Sequence, residues 1–200
     1  ETKASYSITV NVSDGTDTTS QDLTINITNA NEAAPVISNL ASSVTVDENQ
    51  TAVVTVSASD ADGDTLTYSL TGTDASSLSI SSSGVITFNS APDYETKASY
   101  SITVNVSSRD GTDTTSQPLT INITNTNDNA PVISGLPTSI SVTENQVAVI
   151  TVSASDNDGG LLTYSLSGTD AASLSISSSG VITFNTAPDY ETKTSYSVTV

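Results

Sequence analysis

The chain copies itself. Residues 35–101 recur, with few changes, as residues 131–197. Pro35 maps to Pro131, Glu48 to Glu144, Asp60 to Asp156 and Glu95 to Glu191, each pair 96 positions apart. Residues 1–29 map in turn onto 95–125, at an offset that begins at 94 because Ser108-Arg109 is a two-residue insertion. A fixed period obliges every copy to be the same small folding unit, stacked against its neighbours. On this reading residues 35–130 are one complete unit, 1–34 are the last strands of a preceding one, and 131–200 are a third unit lacking its last strand. The first ten and last ten residues share one phase of the repeat (ETKASYSITV against ETKTSYSVTV), as expected of a window on a longer tandem array.

Inside a unit the apolar period is two. Leu66, Tyr68 and Leu70 alternate with Thr67 and Ser69; Tyr100, Ile102, Val104 and Val106 alternate with Ser101, Thr103 and Asn105; Leu119, Ile121 and Ile123 alternate with Thr120 and Asn122. Each such run is a strand with one dry and one wet face, and β-branched residues dominate. No stretch has helical spacing. Strands are expected at 43–46, 51–58, 66–70, 77–80, 85–88, 99–106 and 118–124, separated by Gly, Asp, Ser and Asn clusters. Seven strands in about 100 residues is the size of an immunoglobulin-like sandwich. The fold class expected is therefore all-β, in tandem seven-strand immunoglobulin-like sandwiches. A unit of this length can bury an adequate core, whereas the 70 residues of the third are expected to fall short alone.

Composition removes whole classes of function. The chain has 22 acidic and 4 basic residues, a formal charge of −18, and neither His nor Cys. Nucleic acids and anionic membranes need a cationic face, so neither is an expected partner. Without Cys there are no disulfides or thiolate sites, and without His there is no Ser-His-Asp triad. No apolar run approaches the ~20 residues of a spanning helix.

The acids are grouped, not scattered. Glu48 precedes the second strand, Asp60 and Asp62 follow it, Asp93 and Glu95 precede the sixth, and Asp110 lies in a turn. The exit link 125–131, NTNDNAP, carries Asn127, Asp128 and Asn129. Sandwich loops cluster at two poles. Stacking units end to end would gather Glu48, Asp93, Glu95 and Asp128 of one unit with Asp156 and Asp158 of the next. Six carboxylates repel unless neutralised, and Lys97 and Arg109 are too few. A hard cation taking six to eight oxygen ligands is the natural counter-ion, and Ca2+ suits a loose carboxylate cage better than Mg2+. Other readings of the same residues are poorer. "DADGD" opens like a helix-loop-helix calcium loop, but Thr65 and Thr71 stand where Gly and Glu are needed. Asp93 and Glu95 could be read as a glycosidase carboxylate pair, yet they recur in every copy with no aromatic platform for a sugar.

Taken together, the motifs DEN (47–49) and TEN (143–145), DAD (60–62) and DND (156–158), DYE (93–95 and 189–191), VSDG (12–15) with the expanded SSRDG (107–111), and NTNDNAP (125–131) resemble the cadherin repeat. The wording looks like the bacterial cadherin-like repeats of large secreted, calcium-dependent adhesins. The resemblance implies cadherin-type Greek-key sandwiches whose junctions hold up to three Ca2+ and become rigid when loaded. Carried over residue by residue, one junction would use Glu48, Asp93, Glu95, Asn127, Asp128, Asp156 and Asp158 with the carbonyls of Thr126 and Asn129. The preceding one would use Glu1, Asn31, Glu32, Asp60, Asp62 and Asp110; Glu144, Asp189 and Glu191 would serve a third. Two departures weaken the pattern. The first Asp of the family's link is Asn29 and Asn125 here, and the earlier link has Glu32-Ala33 in place of Asp-Asn, so fewer or weaker ions are expected there.

The function expected is a non-enzymatic spacer or adhesion module, extracellular, at the cell surface or secreted, partnered by neighbouring repeats of its own array. One alternative is a filament subunit, in which strands of one copy complete the sandwich of another. A carbohydrate-binding module, the other alternative, would need exposed aromatic residues that the sequence does not supply.

Overall fold

Alternation of apolar and hydroxyl side chains produces strands through residues 43–124, while the same alternation over 162–166 and 195–200 yields only the isolated bridge between Ser167 and Thr199. The computed structural model describes residues 4–28, 30, 32–108, 111 and 113–200. The chain forms two compact units, residues 1–92 with 99–123 and residues 93–98 with 124–200.

In the first unit, β1 (Ser5–Ser13) and β2 (Thr18–Asn26) make an antiparallel hairpin. The main sandwich follows: β3 (Val36–Ile37), β4 (Ser43–Asp47), β5 (Ala52–Thr55), β6 (Ala58–Ser59), β7 (Thr67–Thr71), β8 (Leu78–Ile80), β9 (Val85–Phe88), β10 (Ser99–Ser107) and β11 (Thr114–Thr124). One sheet runs β4-β11-β10-β7; facing strands are β5-β9-β8, with the short pair β3-β6. The apolar residues of the alternating runs point into one core: Leu78, Ile86, Phe88, Ile102, Val104, Val106, Leu119, Ile121 and Ile123 are all buried. Phe88 meets Tyr100 edge to face at 4.9 Å, a geometry that ring quadrupoles favour.

The strand expected over 51–58 is not continuous. It breaks at Val56, whose backbone N–H turns aside to the carbonyl of Gly84 at 2.8 Å. Before the break β5 pairs with β9; after it β6 pairs with β3. The same detour recurs in the other unit, where Val152 N–H donates to Gly180 O at 2.8 Å. Such a break lets one strand serve two sheet segments.

The second unit contains β12 (Val132–Ser134), β13 (Ala148–Thr151), β14 (Ser153–Ser155), β15 (Leu174–Ile176) and β16 (Val181–Phe184). Its buried core is smaller: Val152, Leu174, Ile182 and Phe184, with Tyr164, Tyr196 and Val198 packed partly against it. Residues 139–143, the counterpart of β4, form no strand.

Gly84 is required where it stands. Its φ is +80°, and a Cβ would lie 2.3 Å from the Val56 carbonyl oxygen. Gly63, at φ +79°, has open space around it. Gly63→Ala should therefore cost only the left-handed strain of roughly 1–2 kcal/mol, while Gly84→Ala should cost clearly more, because the β5–β9 junction must also shift. Urea denaturation of both variants measures the gap, and equal losses would contradict the assigned role of Gly84.

Candidate metal centre

The link after β11 is tied down by the loop that follows β14, and hydrogen bonding explains how. Asp158 sits in the turn 156–159, where its own N–H donates to Asp156 Oδ1 at 2.9 Å and Gly159 N–H to Asp156 O at 3.2 Å. Its carboxylate then faces the link. Oδ2 accepts the backbone N–H of Asn129 at 2.8 Å, and Oδ1 accepts the Asn129 side-chain amide, also at 2.8 Å. The Asn125 amide donates to the Asp158 carbonyl at 3.1 Å. The Asn129 amide nitrogen also reaches Asp128 Oδ1 at 2.9 Å and Glu95 Oε2 at 3.3 Å. Glu95, Asp128 and Asp158 are thus gathered around one amide. The Asn129 side chain, before any other cause, holds the Asp158 carboxyl below the usual carboxylate range.

Glu95 is positioned by Asp93. The Asp93 carboxylate accepts the Glu95 N–H at 3.1 Å and the Thr96 hydroxyl at 2.7 Å, and the Asp93 carbonyl accepts the Lys97 N–H at 2.9 Å. The Thr96 hydroxyl is the main reason that Asp93 titrates low.

The same loop one repeat later is built alike. Asp189 accepts the Glu191 N–H at 3.1 Å and the Thr192 hydroxyl at 2.8 Å. Glu144 Oε2 accepts the Tyr190 N–H at 3.1 Å. Carboxylate oxygens of Glu144, Asp189 and Glu191 all lie within 4.8 Å of one another. In the preceding copy these positions are Glu48, Asp93 and Glu95.

In the first unit the turn 60–63 repeats the Asp156 arrangement: Asp62 N–H donates to Asp60 Oδ1 at 2.8 Å. Asp62 Oδ2 accepts two link N–H groups, Glu32 at 2.9 Å and Ala33 at 2.8 Å. Glu48, 2% exposed, is one of two buried polar residues among those described. Asp60 Oδ2 is buried with no hydrogen-bond partner. A carboxylate oxygen taken from water and left without a donor is costly unless a cation or proton satisfies it. The donor set is all oxygen, which suits a hard divalent ion such as Ca2+.

Of the other residues singled out in the sequence, Glu1, Asn31 and Asp110 lie outside the described residues. Asn127 is exposed and Thr126 half-buried. The sequence pointed to Asn129 for its carbonyl; its side-chain amide, the hub of the second unit's cluster, was missed. So were the Thr96 and Thr192 hydroxyls, whose signal was present as the Asp-Tyr-Glu-Thr run in both copies.

The model of the bacterial Ig domain family matches residues 31–124 and 127–200. Human Cadherin-23 is 31% identical over 160 residues, 76% of this chain, and rat Cadherin-23 is 30% identical over the same length. The chain spans only 5% of the length of these relatives. Among solved structures, mouse Cadherin-23 EC22-24 superposes with a TM-score of 0.68 at 25% identity, covering 94% of this chain and 65% of that one. Human Protocadherin-24 EC1-2 gives 0.67 at 25% identity, covering 82% of each chain. Human CDH23 EC21-23 gives 0.73 at 23% identity, over 94% of this chain and 66% of that one, and supports the fold.

The Asp189 carboxyl is lowered chiefly by the Thr192 hydroxyl. A carboxyl depressed on folding stabilises the folded loop above its ordinary value, and that contribution is lost as pH falls through the depressed one. Thr192→Val should raise the Asp189 titration towards the ordinary range near pH 4, as read by carboxyl-carbon NMR. The loop should then loosen at a higher pH than in the parent. An unmoved midpoint would show that the hydroxyl does not set it.

Proposed function

This chain belongs to the bacterial Ig domain family, its repeats being of the cadherin-like kind, and we propose that it is a segment of an extracellular tandem-repeat spacer or adhesion module stiffened by Ca2+. The observation that carries the reading is the convergence of Glu144, Asp189 and Glu191 oxygens within 4.8 Å of one another, at positions that recur as Glu48, Asp93 and Glu95. An acidic cluster alone is common on exposed surfaces. Here the same residue types recur in the sequence at the repeat period, and the links' backbone is docked onto Asp62 and Asp158.

Calcium would be held by carboxylates of the DEN or TEN, DYE and D-x-D motifs: Glu48, Asp93, Glu95, Asp128, Asp156 and Asp158 around one link, with Asn127 and the carbonyls of Thr126 and Asn129 completing it. Glu1, Asn31, Glu32, Asp60, Asp62 and Asp110 would serve the earlier link, and Glu144, Asp189 and Glu191 the later one. What the ion supplies is positive charge that cancels the mutual repulsion of these groups. The chain's own residues orient the carboxylates by backbone N–H and threonine donors, and hold the link in register. With net charge −18, the metal-free array repels itself along its length. Neutralised, it would become a stiff rod able to hold a distal domain away from a surface. That is an adhesive and mechanical role with no catalysis in it.

A second reading is favoured by the first hairpin. Tyr6, Ile8, Val10, Leu23, Ile25 and Ile27 are each 44–47% exposed, whereas their counterparts Ile102, Val104, Leu119, Ile121 and Ile123 are buried. An uncovered apolar sheet face of this kind could complete a sandwich in another copy, and strands exchanged in that way would give a filament.

Isothermal titration of the whole chain with calcium should show uptake with dissociation constants of ~10⁻⁴–10⁻³ M, the range of extracellular modules. Glu191→Gln should weaken the site that contains it by about tenfold, since ligand charge count tunes such sites. The small-angle scattering profile should change when EGTA is added. No uptake at millimolar calcium contradicts the proposal. Concentration-dependent fibres seen by electron microscopy would favour strand exchange.

A further inference from the structure

We propose that the Asn129 side-chain amide is a built-in stand-in for the cation: with no ion bound it holds the Glu95, Asp128 and Asp158 carboxylates together, and it yields its place when an ion arrives. The inference rests on the calcium reading above and adds to it a positioning residue that sets how tightly the link binds.

The geometry is specific. One NH2 group lies 2.8 Å from Asp158 Oδ1, 2.9 Å from Asp128 Oδ1 and 3.3 Å from Glu95 Oε2. Three acids from three separate stretches of chain therefore face a single partial positive charge. A donor shared among anions is costly to remove, because the three carboxylates it faces lose their common positive neighbour at once. The backbone of Asn129 plays a different part, since its N–H holds the other oxygen of Asp158 at 2.8 Å and any residue but proline could supply that bond.

The chain contains its own comparison. At the equivalent place in the earlier link stands Ala33, whose N–H makes the same bond to Asp62 Oδ2 at 2.8 Å. The backbone clamp is conserved between the two links, while the amide exists in one. A methyl group has no N–H to donate, so among the described residues the earlier link has no side-chain amide at that position. The two links therefore differ in a definite way among the described residues: both are held by backbone N–H bonds to the Asp of the turn, and the later one has the Asn129 amide as well.

An interaction made only in the metal-free state stabilises that state and so lowers affinity for the ion. Asn129→Asp keeps the size of the side chain, removes both donors and adds a carboxylate. In EGTA, amide hydrogen exchange across residues 124–131 of the full chain should speed up by about tenfold or more. Asn129→Ala should give a smaller increase, and it keeps the test usable if the Asp variant does not fold. Calorimetric titration should show the Asp variant binding calcium more tightly than the parent. Exchange in EGTA that matches the parent would overturn the clamp. Weaker calcium binding by Asn129→Asp would overturn the exchange of amide for ion. If calcium binds to neither protein, the calcium reading fails, while the exchange rates in EGTA still decide the role of Asn129.

Discussion

Everything near the links depends on one hydrogen bond, made twice. A backbone N–H of the link donates to the second Asp of the D-x-D turn that follows: Ala33 to Asp62, and Asn129 to Asp158, each at 2.8 Å. The turn is prepared for this, because its first Asp accepts the N–H of the second in both copies. A carboxylate accepting backbone donors is a strong, charge-assisted contact. It makes each link part of the repeat that comes after it, so the acids of the link and those of the turn are brought together by the fold of a single unit. The carboxylates are not left to meet by chance. Preorganisation of this kind is what the proposed cation site requires.

The rest of the repeat is a frame for those loops. Its core is aliphatic and aromatic, with Glu48 and Ser108 the buried polar residues among those described, and the wet faces carry hydroxyls and amides that bond along the sheet, as Ser116 does to Asn105 at 2.7 Å. Acid is concentrated in turns and links. Segregating charge in this way keeps the sandwich free of like-charge repulsion across its sheets and confines repulsion to places where an ion can cancel it. One further ion pair follows the same economy. Lys193 binds Asp170 and also sits 4.8 Å above the ring centroid of Tyr196, so one of the four cations of the chain braces the loop that presents Asp189.

Much of this was legible in the residues. Strict alternation located β4, β7, β9, β10 and β11 to within a few positions, because a period of two with one dry face has only one sheet-like solution. Spacing of the acidic motifs identified the loops. The break at Val56 was not legible, since the bond that diverts it comes from Gly84, 28 residues away, and alternation continues through it undisturbed. Nor was the hub role of Asn129. Its partners Glu95 and Asp158 lie 34 and 29 positions off, and an amide in a polar link reads first as turn chemistry. The Leu161 side chain, 97% exposed where the preceding copy has Thr65, has no explanation in the structure.

Crystals of the chain grown in millimolar calcium, with anomalous scattering used to locate the ion, test the central claim most directly. The account predicts anomalous peaks within about 2.3–2.6 Å of carboxylate oxygens of Glu144, Asp189 and Glu191, and of Glu95, Asp128 and Asp158, with the Asn129 amide turned away from the ion. Ordered acidic loops with no peak at either cluster would contradict it.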